Sequence, residues 1–318
     1  MITTTELPPQ PTSPPPTLKL GDLPSWLQSA LTALDRRVEQ GTLTVPLLPE
    51  AAATLLLMTE DEDADLDRLA EVVRADPTMA AQLLRIANSP LFVSRYPIAS
   101  LRTALSRLGM FQVRQIALLI VCDTKVFRVR GWEAPIRKLF EHSVLVALFA
   151  QEIAKKARMN ADEAFLAALL HDVGIPTLVQ GLVEIEPRVT SFRDIEGLLA
   201  LLHPRHAEIG ARLAAAWAMP PRLIEAIGYH HDPLLAKSDG RNAMVLHLAN
   251  ELAGHGPGHA APPAEDAFAP SGTFAAAREV SGEFEIPQEA AALGLSHADI
   301  AELLAMRQAL TTKASAVS

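Results

Sequence analysis

The sequence predicts an all-α protein. Apolar residues recur at intervals of three and four, as in Leu66, Leu69, Val72 and Val73, and this spacing places them on one face of a helix. Residues that cap helices precede many of these segments, and glycine or proline follows them. No segment shows the alternation of apolar and polar residues that is typical of a half-buried strand.

The first half of the chain begins with a proline-rich segment and continues as predicted helices. Residues 1–20 contain six prolines and two charged residues, so we expect a disordered, extended tail. A helix follows this tail, with Asp22 or Ser25 as its cap. Later helix boundaries are marked by Asp76-Pro77, by Asn88-Ser89-Pro90, by the cap Ser100 and by Gly109.

The second half is predicted to be helical as well. A long helix begins near Pro135, and Asn160 caps a helix that ends at Gly174. The next predicted helix begins at Pro204, and another begins at Pro221. A short helix over residues 242–256 and a final helix capped by Ser296 complete the set.

The composition limits the classes of protein to which the chain can belong. Of its 318 residues, 49% are hydrophobic and 20% are charged, so the chain can bury a core. The single cysteine, Cys122, excludes an intramolecular disulfide and fits a reducing compartment. The first ten residues lack the basic start and apolar core of a secretory signal, and the purely apolar runs are too short to cross a bilayer. We therefore expect a cytoplasmic protein that does not enter the membrane.

Charge is distributed unevenly along the chain. Residues 60–76 carry eight acidic residues and two arginines, whereas residues 95–138 carry nine Lys or Arg and two acidic residues. Two solvated faces are one interpretation, and a basic recognition surface is the other. Two predicted helices around a glycine turn can imitate a helix-turn-helix, with phosphate contacts from Arg102, Arg107 and Arg114. The net charge of −9 and the apolar residues that a core needs in this segment argue against nucleic-acid binding.

Histidines at helix edges form an ordered series along the second half. The series comprises His142 in the long helix, His171 and Asp172 at the end of the next, His206 at the start of a third, and His230 and His231 at the end of a fourth. Imidazole nitrogens and carboxylate oxygens bind Zn, Mn and Fe, and a shared cleft could collect them. Taken singly, a histidine on an apolar face, such as His142, is more often a hydrogen-bonded core residue, and the pair His171-Asp172 alone is a weak signal. The other histidines are interpreted as surface or packing residues: His203, His247, His255, His259 and His297.

Several motifs, in order, carry a resemblance to a known family. In the front half they are "VPLLPEAAATLLLM", "VRADPTMAAQLLRIANSPLF" and "PIASLRTALSRLGMFQVRQIAL". In the back half they are "AFLAALLHDVG", "HAEIGARLAAAWAMP" and "YHHDP". Over these motifs the chain resembles the HDOD domain, an HD-related output domain of bacterial signalling proteins within the superfamily of HD and HD-GYP metal-dependent phosphohydrolases. The resemblance implies a helical front bundle packed on an HD-like helical bundle.

The resemblance and the composition together divide the chain into segments. The predicted divisions are a disordered Pro-rich tail (1–20), an N-terminal helical subdomain (21–135), an HD-like helical subdomain (136–253), a flexible connector (254–288) and a C-terminal helix (289–318), with the HDOD domain over about 46–250.

The resemblance also implies a metal site and shows where this chain departs from an active one. The implied ligands of a divalent Fe, Mn or Zn ion are His142, His171, Asp172, His206, His230 and His231. Asn250 stands where active HD enzymes have an aspartate, and a neutral amide is a weaker ligand than a carboxylate. Ile175 and Pro176 follow the HD pair where catalytic relatives have a phosphate-binding lysine, and the Gly-Tyr-Pro motif is absent. The site is therefore predicted to be degenerate, because cleavage of a phosphodiester needs the missing charges.

The expected function is regulation without catalysis. By resemblance, the chain would bind a regulatory protein through the groove between its two bundles or through an apolar helix surface. A metal-dependent phosphohydrolase acting on a nucleotide or cyclic dinucleotide is the alternative, and assembly into a homo-oligomer stays open. The turn Asn88-Ser89-Pro90 is either part of a recognition surface or only a helix stop.

Overall fold

The computed structural model of the protein describes residues 19–46, 54, 66–75, 77–89, 98, 100–238, 240–254 and 287–316. These residues form helices and turns and contain no strand, which confirms the predicted all-α class. The first α-helices are α1 (Ser25–Glu39), α2 (Leu66–Ala75), α3 (Pro77–Ala87), α4 (Leu101–Val121), α5 (Glu133–Lys156) and α6 (Ala161–Leu170). The later ones are α7 (Gly174–Ile185), α8 (Ile195–Ala216), α9 (Pro221–Gly228), α10 (Arg241–Ala253), α11 (Gln288–Ala292) and α12 (His297–Ser315).

Helices α2, α3 and α4 pack on one another and form the front of the molecule. The predicted cap of α4 is confirmed, since the Ser100 hydroxyl accepts a hydrogen bond from the Thr103 amide. Helix α4 bends at Gly109, whose φ of 73° is favourable only for glycine. Gly109 therefore separates two helical segments within α4, as the sequence predicted.

The turn after α3 is fastened by Asn88. Its side-chain amide donates to the Leu84 carbonyl at 2.8 Å and to the Ile98 carbonyl at 2.9 Å, and its carbonyl oxygen accepts from the Ile98 amide at 2.7 Å. Asn88 therefore ends α3 and holds the backbone that leads into α4. Asp76 and Pro90, which the sequence also predicts as boundary residues, lie outside the described residues.

The second bundle is built around α5 and α6. Helix α5 packs on α6, α10 and α12, and α8 packs on both α7 and α9. Helix α4 contacts α6, so the front helices and this bundle share one continuous hydrophobic cluster. Phe140, Phe149 and Phe165 lie fully inside this cluster. The predicted architecture of a front bundle on an HD-like bundle is confirmed at the level of the fold.

Three predicted helix boundaries were wrong. Helix α1 begins after Pro24, and no side chain caps it. Helix α6 is capped by Asn160 as predicted, but it ends at Leu170, and Gly174 is the first residue of α7. Helix α7 itself was not predicted. Helix α8 begins at Ile195, nine residues before Pro204, because the Asp194 carboxylate caps it through the Gly197 amide.

The C-terminal part of the chain packs back onto the second bundle. Ser296 caps α12, as predicted, in a capping box with Asp299. The short helix α11 precedes it and was not predicted. Lys156, near the end of α5, forms ion pairs with Asp299 at 3.2 Å and Glu302 at 2.6 Å on α12. Most of the predicted tail and connector, residues 1–18 and 255–286, lies outside the described residues.

Two surface hypotheses can be compared with this fold. Residues Ala161–Ile185 form the one described stretch that is long and apolar enough to cross a membrane, but 89% of its most apolar window is buried inside the protein. A turn also divides this stretch into α6 and α7. In the segment that can imitate a helix-turn-helix, Val113 and Ile116 are fully buried, so the helix after Gly109 belongs to the core.

Candidate metal centre

Four separate parts of the second bundle contribute to one polar cluster. His142 lies on α5, and His171 and Asp172 lie in the turn between α6 and α7. His206 lies in the middle of α8 and not at a helix start, which corrects the sequence-based prediction. His230 follows the end of α9. We call these residues the inner cluster: His142, His171, Asp172, His206 and His230.

Asp172 is at the centre of the inner cluster. Its Oδ2 lies 3.2 Å from His171 Nε2 and 3.9 Å from His142 Nε2, and its Oδ1 lies 3.2 Å from His206 Nε2. His230 Nε2 lies 3.2 Å from His206 Nε2. Two sets of ligand atoms within 4.8 Å of one another share this aspartate, one with His142 and His171 and the other with His206 and His230.

Backbone carbonyls fix the tautomer of three of these histidines. The Nδ1 of His171 donates to the Ala168 carbonyl at 2.8 Å, that of His230 donates to the Ile227 carbonyl at 2.7 Å, and that of His206 donates to the His203 carbonyl. A carbonyl cannot donate, so each Nδ1 carries a proton, and a neutral ring in this tautomer has its lone pair at Nε2. All three lone pairs belong to the atoms that face Asp172 or one another. This arrangement is the one that orients metal-binding histidines.

The fourth histidine of the inner cluster has a different partner. His142 Nε2 lies 3.0 Å from Asn250 Oδ1, and since an amide oxygen only accepts, His142 Nε2 donates. Asn250 is buried on α10, at the position where the sequence comparison leads us to expect an aspartate. The nitrogen of His142 that faces Asp172 is therefore engaged by a neutral side chain.

Two further histidines lie at the outer edge of the cluster. His231 Nε2 is 3.1 Å from His206 Nε2. The His203 ring centroid lies 4.4 Å from that of His206 and 4.8 Å from that of His231. We call His203, His206 and His231 the outer trio, and their ligand nitrogens also lie within 4.8 Å of one another. The sequence predicted His231 as a ligand but left His203 as a surface or packing residue.

His203 could have been found from its spacing. It precedes His206 by three residues, and residues at this interval lie on the same face of a helix. The interpretation of Pro204 as a helix start placed His203 outside the helix and concealed this signal. Another histidine that the sequence left unassigned, His247, donates from Nδ1 to the His230 carbonyl at 2.8 Å and so supports the turn after α9.

Burial favours the neutral form of His230 and His231. Burial lowers the pKa of His230 well below its ordinary value, and the neighbouring imidazoles of His231, His206 and His171 lower it further. Burial also lowers the pKa of His231 to about 3, with His206 and His203 contributing. At neutral pH both rings therefore carry a lone pair that a cation can accept.

Glycine brings the backbone of α8 against the turn that holds the HD pair. A Cβ built on Gly174 would lie 2.0 Å from the His206 carbonyl oxygen and 2.9 Å from the Gly210 amide nitrogen. Any side chain at Gly174 would therefore separate α7 from α8 and move His206 away from Asp172. The glycine that the sequence suggested as a helix end instead permits a close approach of two helices.

The inner cluster is closed, and the outer trio is partly open. His171, Asp172, His206 and His230 are each 0% exposed. His203 and His231 are partly exposed and line a groove of about 870 Å³ between α8, α9 and the turn Pro233–Leu235. Other residues along this groove are Glu208, Arg212, Tyr229 and Leu235.

The donor set of the inner cluster fits a divalent metal ion. His206 and His230 present lone pairs to each other across 3.2 Å, and both Nδ1 protons are already donated to carbonyls. His171 Nε2 has no hydrogen-bond partner among the described residues and faces the Asp172 carboxylate. Electron-rich atoms that converge in a buried site repel one another unless a cation lies between them. Imidazole with carboxylate is a common donor set for Zn, Mn and Fe(II).

The described residues form a helical fold that brings four histidines together around one aspartate. The family model of the HDOD domain matches residues 45–233, which is more than half of the chain. The chain belongs to the HDOD domain family.

Relatives by sequence match only parts of the chain. It is 22% identical over 214 residues to an uncharacterized protein of Treponema pallidum, covering 65% of this chain and 41% of that protein. It is 30% identical over 122 residues to a ribonuclease Y of Thermus thermophilus, covering 38% of this chain and 17% of that protein. The chain therefore spans less than half the length of either relative.

Solved structures match most of the chain in fold. An HDOD domain protein of unknown function from Geobacter sulfurreducens has a TM-score of 0.62 at 22% identity, covering 92% of this chain and 99% of that one. A Shewanella amazonensis protein whose name proposes a phosphohydrolase has a TM-score of 0.63 at 24% identity, covering 90% and 98%. A Marinobacter aquaeolei protein whose name proposes signal transduction has a TM-score of 0.59 at 21% identity, covering 92% and 65%. At these identities the likeness shows the fold alone.

Proposed function

We propose that this HDOD protein is a regulatory signalling domain that acts by binding a protein partner and does not hydrolyse a phosphodiester. In this proposal the inner cluster holds a divalent metal ion that stabilises the domain. One observation carries the proposal: the residues that the resemblance implies as ligands lie together, but His171, Asp172, His206 and His230 are all closed off from solvent.

The neutral, fixed histidines support the metal-binding part of the proposal. His171, His206 and His230 hold their Nδ1 protons in hydrogen bonds to carbonyls and direct Nε2 toward Asp172 or each other. A metal ion would neutralise the buried carboxylate and occupy these lone pairs. When bound, such an ion supplies Lewis-acid chemistry, and the residues of this chain would hold it in place.

Three features support the absence of hydrolysis. A substrate would have to reach ligands that are fully buried. Asn250 supplies a neutral oxygen to His142, so one negative charge is missing from the donor set. Ile175 and Pro176 are buried and apolar where a phosphate-binding cation would be expected by resemblance. Loss of one group that stabilises charge in a transition state typically costs about 10²–10³ in kcat.

The first experiment measures metal and turnover together. The purified full chain is analysed for Fe, Mn and Zn, and is then incubated with nucleotides and cyclic dinucleotides in the presence of each metal. We expect the wild-type protein to contain metal and His171→Ala to contain less. The wild-type protein should hydrolyse none of these substrates faster than the variant does. Phosphodiester hydrolysis that disappears in His171→Ala would overturn the non-catalytic proposal.

A second experiment tests regulation in the organism that carries the gene. A strain that lacks the gene is complemented with wild-type protein or with His171→Gln, after the variant has been shown to fold. If the domain acts by contact with a partner, the folded variant should restore the phenotype that deletion removes. A variant that folds, accumulates normally and yet fails to complement would show that the centre itself performs the function.

A metal-dependent phosphohydrolase is the second candidate. The retained inner cluster favours it, and so do the names of two similar proteins, a ribonuclease and a proposed phosphohydrolase. Replacement of Asn250 by aspartate distinguishes the two candidates. Under our proposal Asn250→Asp binds metal more tightly but still shows no turnover, whereas a weakened hydrolase would gain activity.

A further inference from the structure

We propose a second metal site at the mouth of the groove, formed by the outer trio His203, His206 and His231. This site would take a divalent ion that prefers nitrogen ligands, such as Zn²⁺, Cu²⁺ or Ni²⁺. It does not require that the inner cluster be occupied.

The positions of the three rings support this assignment. Their ligand nitrogens lie within 4.8 Å of one another, and the Nε2 atoms of His206 and His231 are separated by 3.1 Å. Three nitrogens around one tetrahedral zinc ion, each at about 2.0–2.1 Å from it, would lie ~3.3 Å apart. The His206–His231 pair already has about this spacing, and a ligand nitrogen of His203 lies no more than 4.8 Å from each of them.

The helix places two of the three ligands in register. His203 and His206 are three residues apart on α8 and share one face of that helix. The His203 carbonyl accepts the Nδ1 proton of His206, so the same short segment supplies one ligand and orients the other. His231, which follows α9, completes the trio from the opposite side of the groove.

The chemistry of the outer trio differs from that of the inner cluster. It consists of three imidazoles without a carboxylate, a set that suits Zn, Cu and Ni better than Mg or Mn. His203 and His231 are partly exposed and line the groove of about 870 Å³. The outer trio would therefore lie beside this groove, which is large enough to hold water or a further ligand of the ion.

His206 connects the two sites and prevents them from acting independently. Its Nδ1 is bonded to the His203 carbonyl, so it has a single lone pair, at Nε2. That atom lies 3.2 Å from Asp172 Oδ1 and 3.1 Å from His231 Nε2. An ion in the outer trio thus withdraws His206 from Asp172, while His142, His171 and Asp172 remain as a separate group.

The test is a titration of the full chain with Cu²⁺ alone, after bound metal has been removed with a chelator. Electron paramagnetic resonance reports the nitrogen ligands, and calorimetry with Zn²⁺ reports the number of sites. His203→Gln removes a ligand of the outer trio only, and His231→Gln removes a second ligand of this trio, one that the resemblance also assigns to the HD-type site. His297→Gln, on an exposed histidine at the start of α12, is the matched control.

We expect both outer variants to lose the same copper signal and one equivalent of Zn²⁺, with the control unchanged. Loss of a supporting group around a metal ligand typically costs 10–100-fold in affinity, so loss of a ligand should cost at least about tenfold. If His203→Gln binds as many Zn²⁺ ions as wild type, with equal affinity and the same copper spectrum, the proposal of a second site is wrong.

The experiment also separates this inference from the proposed function. Asp172→Asn should remove metal from the inner cluster and leave the copper signal of the outer trio. If that variant does not fold, the comparison of His203→Gln with His297→Gln remains decisive, because both residues are at least partly exposed. Hydrolysis by the wild-type chain would overturn the proposed function without affecting the copper signal.

Discussion

Gly174, which has no side chain, permits the close helix contact on which the geometry of the inner cluster depends. The residue allows the backbone of α8 to approach the HD turn so closely that His206 and Asp172 come within 3.2 Å. The atoms that a new Cβ would meet belong to the backbone of His206 and Gly210, and a backbone inside two packed helices cannot move aside as a side-chain tip can.

We predict that Gly174→Ala destabilises the protein by about 3 kcal/mol or more, because the overlap involves backbone atoms in a packed core. Metal affinity should fall as well, since His206 is displaced from Asp172. Chemical denaturation and metal titration measure the two effects. Gly21→Ala is the control, because a Cβ at Gly21 meets nothing within 4 Å. Equal denaturation midpoints for the two variants would contradict this explanation of Gly174.

Asn88 illustrates a residue with two interpretations from sequence, one functional and one structural. Its three hydrogen bonds to the backbone of Leu84 and Ile98 account for its presence as a fastener of the turn between α3 and α4. This structural role is compatible with, but does not require, a role in recognition.

We predict that Asn88→Ala lowers the free energy of unfolding by about 1–3 kcal/mol, because backbone groups of Ile98 lose their partners. The free energy of unfolding of Asn88→Asp should lie between those of wild type and Asn88→Ala. The aspartate keeps an acceptor for the Ile98 amide but loses both hydrogen bonds that the asparagine donates. Thermal or urea denaturation measures the difference. Thr32→Ala, which removes only an exposed hydrogen bond within α1, should stay within about 0.5 kcal/mol of wild type. An Asn88→Ala variant as stable as Thr32→Ala would refute the fastening role.

At the scale of elements, helix caps were more predictable from sequence than helix starts near proline. Ser100, Asn160 and Ser296 cap the helices that their sequence context indicates, because a side-chain oxygen before an apolar periodic segment has few other uses. Pro204 was misleading, because proline is common in the first turn of a helix but here lies inside α8. Helix α7 was missed because it contains glycine and proline within its first turn.

The candidate site was predictable in its membership but not in its geometry. The order of His142, the HD pair and the later histidines indicated a shared cleft, and the structure brings them together. The sequence could not show that Asn250 hydrogen-bonds to His142, because these residues are 108 positions apart. Nor could it show that His203 joins His206 and His231, since this depended on the true start of α8.

Helix α12 is attached to the bundle in a way that depends on pH. Hydrogen bonds from Ser296 and from Lys156 lower the pKa of Asp299 from 3.8 to about 2. A carboxyl group with a lowered pKa stabilises the fold above its unfolded pKa, and this stabilisation is lost as it becomes protonated in the folded state.

We predict that the stabilisation by Asp299 is complete above about pH 4 and is lost as the pH falls from 3.8 through about 2. The difference in unfolding midpoint between wild type and Asp299→Asn should therefore narrow over this interval. Ser296→Ala should lose less stability than wild type over the same pH interval. This substitution removes the hydrogen bond that contributes most to the lowered pKa of Asp299. Curves that stay parallel between pH 5 and pH 2 would contradict this coupling.

On the scale of the whole molecule, the inner cluster joins parts of the second bundle that are distant in sequence. Its side chains come from α5, from the turn after α6, from α8 and from the segment after α9, and Asn250 adds α10. A ligand that binds only the folded arrangement stabilises it by mass action. An ion at this position would therefore connect most of the bundle at one point, without any need for turnover.

We predict that Zn²⁺ or Mn²⁺ raises the unfolding temperature of the metal-free chain. At 100 times the dissociation constant the gain is about 2.7 kcal/mol, and it should grow with the logarithm of the metal concentration. His171→Ala removes a ligand with a fixed tautomer from the inner cluster, so the rise with Mn²⁺ should disappear in that variant. The rise with Zn²⁺ should become smaller but persist, because the outer trio still offers three imidazoles. The rise should persist in His297→Gln, whose altered residue lies outside both sites. Differential scanning calorimetry of the three proteins, with chelator and with metal, measures this effect. A rise of equal size in His171→Ala would show that the ion binds elsewhere and that the inner cluster does not unite the bundle through a metal.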